Sequence, residues 1–248
     1  RTGIVLYGFK LTFQSVIDIG GAALLIDAVV VAFTILLGAG LGRLLKMDRD
    51  TALLTSIGSS ICGAAAVLGA EPVVKSQPYK AAVAVSTVVI FGTLSMFLYP
   101  ALFRAGMLDL TTEQMGLFTG ATLHEVAHVV GAGNAMGQAI SDPAIIVKMI
   151  RVMMLAPVLV ILSIILSRRE AAAGQTGQKR KITIPWFAFL FLAVIGFNSL
   201  HLLPSGVVSA INSLDTFLLT MAMTALGAES SFEKFKKAGA RPFLLAAL

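Results

Sequence analysis

Apolar residues in this chain come in uninterrupted blocks rather than in the alternating or one-faced patterns of a soluble domain. The clearest blocks run from Ala22 to Leu45, Ala81 to Phe103, Ile145 to Leu166, Trp186 to Leu203 and Val207 to Ala228. Each approaches the roughly 20 residues that a helix needs to cross a hydrocarbon core. Two further segments, Thr51 to Ala70 and Met115 to Ala132, have the length but are rich in Gly, Ala, Ser and Thr. That composition suits helices packed inside a bundle, with breaks, rather than helices facing lipid. Shorter apolar pieces stand at Gly3 to Phe9 and at Phe243 to Leu248. The pattern predicts an all-α, polytopic transmembrane helix bundle with discontinuous helices.

Composition agrees with the pattern. Hydrophobic residues make up 57%, charged residues only 13%, and the mean hydropathy is +0.89. A soluble domain carries about 25% charge, so that class is excluded. The lone Cys62 has no partner for an internal disulfide. With no initial Met and no signal-peptide pattern, residues 1–248 are expected to be a single integral-membrane transport domain cut from a longer chain.

Lys and Arg orient the bundle, because positive loops stay on the cytoplasmic side. If every segment crosses once, Arg43, Lys46 and Arg49 share a face with Arg104, with Arg168, Arg169, Lys179, Arg180 and Lys181, and with Lys234, Lys236, Lys237 and Arg241. The opposite loops then hold Lys75 and Lys80. Residues 168–182 read as a flexible cytoplasmic linker between two helical groups, and its charges as an orientation signal rather than a nucleic-acid patch.

The ends of the chain resemble each other. A shift of 219 residues pairs Gly8 with Gly227, Thr12 with Ser231, Phe13 with Phe232, Gly20 with Gly239, Leu25 with Leu244 and Ala28 with Ala247. Seven expected spans separate the copies, an odd number, which implies an inverted-topology repeat of the secondary-transporter type, with its substrate site near the midplane.

Ionisable groups at bilayer depth are costly and mark functional sites. Asp27, His124, Glu125, His128, Lys148, Arg151 and Asp215 are such groups. His124-Glu125-Val126-Ala127-His128 is an H-E-x-x-H string, which on one helix would hold a zinc ion between two imidazoles with Glu125 as base. The third ligand of the extended zinc-protease pattern should stand at position 134, where the chain has Asn134. Asp215, in Asn212-Ser213-Leu214-Asp215, and Asp142, just before Pro143, are the substitute candidates. Lys148 and Arg151 lie three residues apart on one helix face. Either they snorkel to headgroups or they face an anionic substrate and Glu125. In Gly58-Ser59-Ser60-Ile61-Cys62-Gly63, small side chains either allow close helix packing or let an unwound backbone and a helix amino terminus meet an oxyanion.

Three stretches carry a family resemblance: Gly58 to Ala66, Gly120 to Gly133, and Lys148 to Pro157. They resemble, in this order, signature stretches of the YeiH-type sulfate exporter family, and Gly8 to Thr12 and Ala225 to Gly227 are similar to its flanking motifs. The resemblance covers essentially the whole chain. It implies a multi-span bacterial inner-membrane protein that moves a small anion such as sulfate or a related sulfur oxyanion. The family pattern carries Gln where this chain has His128, so the resemblance retains His124 and Glu125 and gives His128 no role.

The expected mechanism is alternating access. Ser59, Ser60, Cys62, Gly63, Lys148 and Arg151 are the candidates for substrate binding, and His124 with Glu125 for a proton-linked switch; sodium coupling is the other option. No enzyme activity, resident metal or cofactor is expected. The partners are a small inorganic or organic anion and the lipid bilayer, with no nucleic acid, and a homo-oligomer is compatible with the sequence. The alternative is an intramembrane zinc metalloprotease using His124, Glu125 and His128. A membrane receptor or scaffold is the third class.

Overall fold

Long apolar blocks satisfy their own backbone hydrogen bonds only as helices, and the computed structural model is helical throughout. It describes residues 2–10, 12–14, 21–172, 186–229 and 239–247, and no strand occurs among them. The helices are α1 (Thr2–Leu6, followed by a 3-10 turn over Tyr7–Lys10), α2 (Gly21–Leu44), α3 (Arg49–Ser60), α4 (Ala64–Val74), α5 (Pro78–Arg104), α6 (Thr112–Thr122), α7 (Val126–Met136), α8 (Gln138–Met153), α9 (Leu155–Ala172), α10 (Trp186–Ser199), α11 (Ser205–Glu229) and α12 (Arg241–Ala247). Among the described residues, three stretches are long and apolar enough to cross a membrane by themselves: Leu25–Leu44, Pro78–Arg104 and the 31-residue run Gln138–Arg168. The last joins α8 and α9 through a tightened turn, where the Met154 N–H is shared between the Ile150 and Arg151 carbonyls. Pro157, which has no N–H to offer the Met153 carbonyl, follows it.

The segments expected at Thr51 to Ala70 and Met115 to Ala132 do not cross. Each is a helical hairpin. In the first, Asp48 caps α3, its carboxylate accepting from the Thr51 N–H and hydroxyl at 3.1 Å. Twelve residues on, the chain reverses over Ile61–Gly63 and returns as α4. The Lys80 ammonium, at the start of α5, lies 2.8 Å from both Asp48 and Asp50. Further in, a Cβ on Gly58 would come within 2.6 Å of Val67 and 3.1 Å of Val88. Thus α3 runs alongside α5, residue 50 by 80 and 58 by 88, while α4 returns between them to where α3 began.

The second hairpin repeats the design from the other end of α5. Thr111 opens α6 with a capping box: its hydroxyl accepts from the Gln114 N–H and the Gln114 side chain accepts from the Thr111 N–H. The chain reverses over Leu123–Glu125, and α7 brings Ala135 back to the Arg104 guanidinium at the end of α5. Close contacts at glycine fix the stacking. A Cβ on Gly116 would meet Pro143, one on Gly131 would meet Met96, and one on Gly133 would meet Ser141. The Gly- and Ala-rich composition of both segments is what lets four short helices approach this closely.

These reversals correct the charge map. Lys75 and Lys80 share the face of Arg43, Lys46 and Arg49, and Arg104 moves to the opposite one. Arg241 stays on the first face, as expected, its guanidinium donating to the Lys46 carbonyl at 3.0 Å. The bias of positive charge is therefore sharper than a count with every segment crossing gives, and the positive-inside rule predicts the Lys46 face to be the cytoplasmic one. At Asp48, on that face, partial burial pushes the carboxyl pKa up, but Lys80 and the Thr51 donors outweigh it and hold the pKa below the usual range. Its contribution is present above the ordinary carboxylate pKa and fades as pH falls through the lowered one. The linker expected at 168–182 begins as helix, since α9 runs to Ala172, and from 173 it lies outside the described residues. The repeat pairing Gly8 with Gly227 reaches into 230–238, also outside them; losing two crossings leaves the parity of its span count unchanged.

In a Cys62→Ala background, we expect Lys46→Cys and Lys75→Cys to react with a membrane-impermeant maleimide from the same side of the membrane, and Met107→Cys only from the other. Labelling of positions 46 and 75 from opposite sides would restore the crossing segment.

A second group gathers α1, α10 and α11. The Asn198 side chain donates to the Phe9 carbonyl at 3.0 Å, and the Ser199 hydroxyl accepts from the Phe13 N–H at 2.8 Å. The larger apolar core joins Leu54, Ile57 and Val67 of the first hairpin to Leu155 and Leu159 of α9 and to Phe191 and Ile195 of α10.

Candidate functional site

The two reversals meet beside the middle of α5, and Lys148 of α8 ties them together. Its side chain is fully buried, and its ammonium donates to the Ile61 carbonyl at 2.8 Å and to the Leu123 carbonyl. Both carbonyls belong to residues at which a helix has stopped, so they lack intrahelical partners. No carboxylate pairs with Lys148 among the described residues. Glu125 makes the reciprocal contact: its carboxylate accepts from the Ala64 N–H, the first of α4, at 3.2 Å. A negative group thus sits at the positive end of a helix dipole, supplied by the opposite hairpin. Gly63 makes room for it. Its φ is +68°, and a Cβ there would come within 2.9 Å of the Glu125 carboxylate.

The remaining candidates separate. Ser59 has a buried hydroxyl without a hydrogen-bond partner, whereas the Ser60 hydroxyl donates to the Ile57 carbonyl of its own helix at 3.0 Å. Cys62 is a buried free thiol in the first tip. Arg151 does not share the environment of Lys148. It donates from Nε at 3.0 Å and Nη2 at 2.7 Å to Asp27 Oδ1 of α2, and both side chains are buried. Neither cation snorkels. Asp27, which the sequence offered only as a buried charge, is thus the Arg151 counterion, and its second oxygen has no partner.

The break removes the continuous helix on which the zinc reading rests. His124 lies in the reversal, Glu125 is the extended residue before α7 with φ −119° and ψ 153°, and only His128 is helical. The two imidazoles therefore lack the one-turn spacing of a shared helix face. His128 packs on Gly92, with Nε2 3.4 Å from the Thr93 hydroxyl. At the third-ligand position, the Asn134 side-chain oxygen accepts from the Ser141 hydroxyl; of the substitute ligands, Asp142 is engaged by Gln138 and Asp215 pairs with Lys10 in the second group. No three His, Cys, Asp or Glu side chains cluster for a metal among the described residues. His124 Nδ1 is buried and without a partner.

One signal went unused in the sequence. A shift of 62 residues, without gaps, pairs Gly58 with Gly120, Ala65 with Ala127, Val67 with Val129, Gly69 with Gly131 and Ala70 with Ala132. Ser60 falls on Thr122, Ile61 on Leu123 and Leu68 on Val130. The matched blocks are the two hairpins, and Ile61 and Leu123 are the two carbonyls held by Lys148.

Residues 1–246 match the family described as conserved hypothetical protein 698. The chain is 66% identical to a UPF0324 membrane protein of Bacteroides thetaiotaomicron, over 100% of this chain and 74% of that one. It is 52% identical to a UPF0324 membrane protein of Pseudomonas aeruginosa, over 100% and 71%, and 49% identical to the UPF0324 inner membrane protein YeiH of Escherichia coli K12, over 99% and 70%. No solved structure matches. The chain belongs to this YeiH-type family of helical bacterial inner-membrane proteins.

Proposed function

We propose that the protein is a secondary transporter that exports a small oxyanion, sulfate or a related sulfur oxyanion, by alternating access, and that it is not an enzyme. The observation that carries this reading is the buried Lys148 ammonium, unpaired with any described carboxylate and bonded to the backbone of both hairpin tips. Two short helices, α4 and α7, begin at those tips, and helix amino termini with a nearby cation are suited to oxyanions. The hairpins enter from opposite ends of α5 and share sequence at a shift of 62, which supports reading them as an inverted-topology pair on which alternating access can run.

In this reading Glu125 is a built-in placeholder. Its carboxylate occupies the Ala64 amide that a substrate oxygen would take, with Lys148, Ser59 and the backbone at Cys62 and Gly63 completing the cradle. Ser60 and Arg151 support it indirectly, through their bonds to Ile57 and Asp27. Displaced by substrate, Glu125 takes up a proton, with His124 beside it as relay, so that anion and proton movements are linked.

The test is counterflow of radiolabelled sulfate in proteoliposomes of the full-length protein, with sulfite, thiosulfate and organic sulfonates as competitors. Specific exchange supports the reading; its absence for all of them favours a receptor or scaffold. Glu125→Gln is expected to flatten the pH dependence of exchange across pH 5–8, the range in which a relayed proton would be felt. A pH profile equal to wild type would remove the proton role.

A further inference from the structure

The second helical group holds a cavity that the proposed transport site does not use. It occupies about 770 Å³. His201, Leu203 and Ser205 stand around the α10–α11 connection, and Lys10 and Thr216 lie deeper along the helices. Ser205, Ser209, Asn212 and Thr216 line it from one face of α11. Their spacing of four, three and four residues is a polar stripe along a helix that the sequence reads as a membrane span. Alongside the deep end, Asp215 is fully buried and 3.0 Å from the Lys10 ammonium.

The chemistry of this cavity differs from that of the hairpin tips. Among the described residues, the buried side-chain atoms without hydrogen-bond partners here are all acceptors: Asn212 Oδ1 on the cavity wall, and both oxygens of Asp215, which does not line the cavity but is ion-paired through Oδ2 to Lys10, which does. Acceptors call for a donor or a cation, and a buried carboxylate repels an anion. Lys10 also donates to the Thr216 hydroxyl at 3.3 Å, so its ammonium sits among the oxygens a small cation would use. One carboxylate beside a lysine cannot neutralise a divalent ion, whereas hard oxygen ligands suit a small monovalent one. Water occupies about 30 Å³, so the volume admits such an ion with its hydration shell.

We propose that Asp215, Asn212 and Thr216 form a sodium site in which the Lys10 ammonium is a tethered stand-in that swings aside when the ion binds. The probe is sodium chloride, titrated against the full-length protein in nanodiscs, with melting midpoints compared with choline, potassium and magnesium chloride at equal ionic strength. Sodium is expected to raise the midpoint with saturation, where choline and magnesium do not. Asp215→Asn should abolish the rise, and Glu125→Gln should leave it intact. Lys10→Met should lower the half-saturating sodium concentration at least about tenfold, because a tethered competitor acts at a high effective concentration.

The proposal is overturned if sodium acts no differently from choline, if potassium is equivalent, if Asp215→Asn keeps the response, or if Lys10→Met leaves the half-saturation point unmoved. Should Asp215→Asn fail to fold, ²³Na NMR line broadening with wild type against Asn212→Leu decides the same question, and equal broadening overturns the proposal. None of these readouts requires anion flux, so they fail or succeed independently of the transport reading.

Discussion

Gly63→Ala is expected to cut anion exchange at least about tenfold in a protein that still inserts and folds. Two independent costs fall on the same methyl group. The backbone at Gly63 has φ +68°, a conformation that costs a non-glycine residue about 1–3 kcal/mol when the surroundings enforce it. The added Cβ also lands on the Glu125 side chain. Either the turn at Ile61–Gly63 reshapes, moving the Ile61 carbonyl off Lys148, or Glu125 withdraws from the Ala64 amide. Each 1.36 kcal/mol lost in the transport transition state is tenfold in rate. Gly40→Ala is the control: it lies within helix α2 with open space around its Cβ position, and alanine there should be neutral or stabilising by about 0.5–1 kcal/mol. Proteoliposome exchange rates for the two variants, normalised to folded protein, make the comparison. Equal rates would show that the tip is not tightly packed during transport.

The largest loss of stability is expected from Asp27→Ala. It leaves the Arg151 guanidinium buried without its counterion, which costs about 3–5 kcal/mol, whereas replacing both partners of a buried pair by apolar residues is often neutral. Against the single variants Asp27→Leu and Arg151→Met, the double variant should therefore recover most of the melting midpoint that either single change loses, a coupling read directly from a double-mutant cycle. Additive losses would mean that the two side chains act apart. Exchange activity of the double variant adds a second readout: if Arg151 serves only to fix α8 against α2, transport returns with stability.

The helical architecture was legible from the long apolar blocks, because twenty apolar residues in a row leave the backbone little alternative to a helix. The reversals were not. A stretch such as Gly58 to Ala66 looks the same whether its small residues let a broken helix continue or let it fold back on itself. What decides is the distant contact of Lys80 with Asp48 and Asp50, which no local pattern announces. The 62-residue correspondence was available in the sequence and would have flagged both hairpins as one kind of unit. The H-E-x-x-H string was ambiguous for a related reason. Its reading assumes one continuous helix, and the chain breaks that helix at Glu125, inside the motif. Lys148 and Arg151 were legible as cations within a span, but neither their burial nor their different fates were, since Asp27 is 124 residues from Arg151 in sequence.

The folded-back first hairpin has a consequence at the scale of the whole membrane. It gathers Lys75 and Lys80 with Arg43, Lys46, Arg49 and Arg241 on the cytoplasmic face and leaves Arg104 on the other. A surface of one sign concentrates counter-ions near it, so under the proposed export reading anions made in the cytoplasm accumulate on the face from which they would be captured. The resting potential, negative inside, then does work on each captured charge, about 2.3 kcal/mol per elementary charge for every 100 mV. For a doubly charged oxyanion carried outward uncompensated that work doubles; a proton carried out with it on Glu125 takes half of that back, whereas a sodium ion moving inward in exchange adds to it.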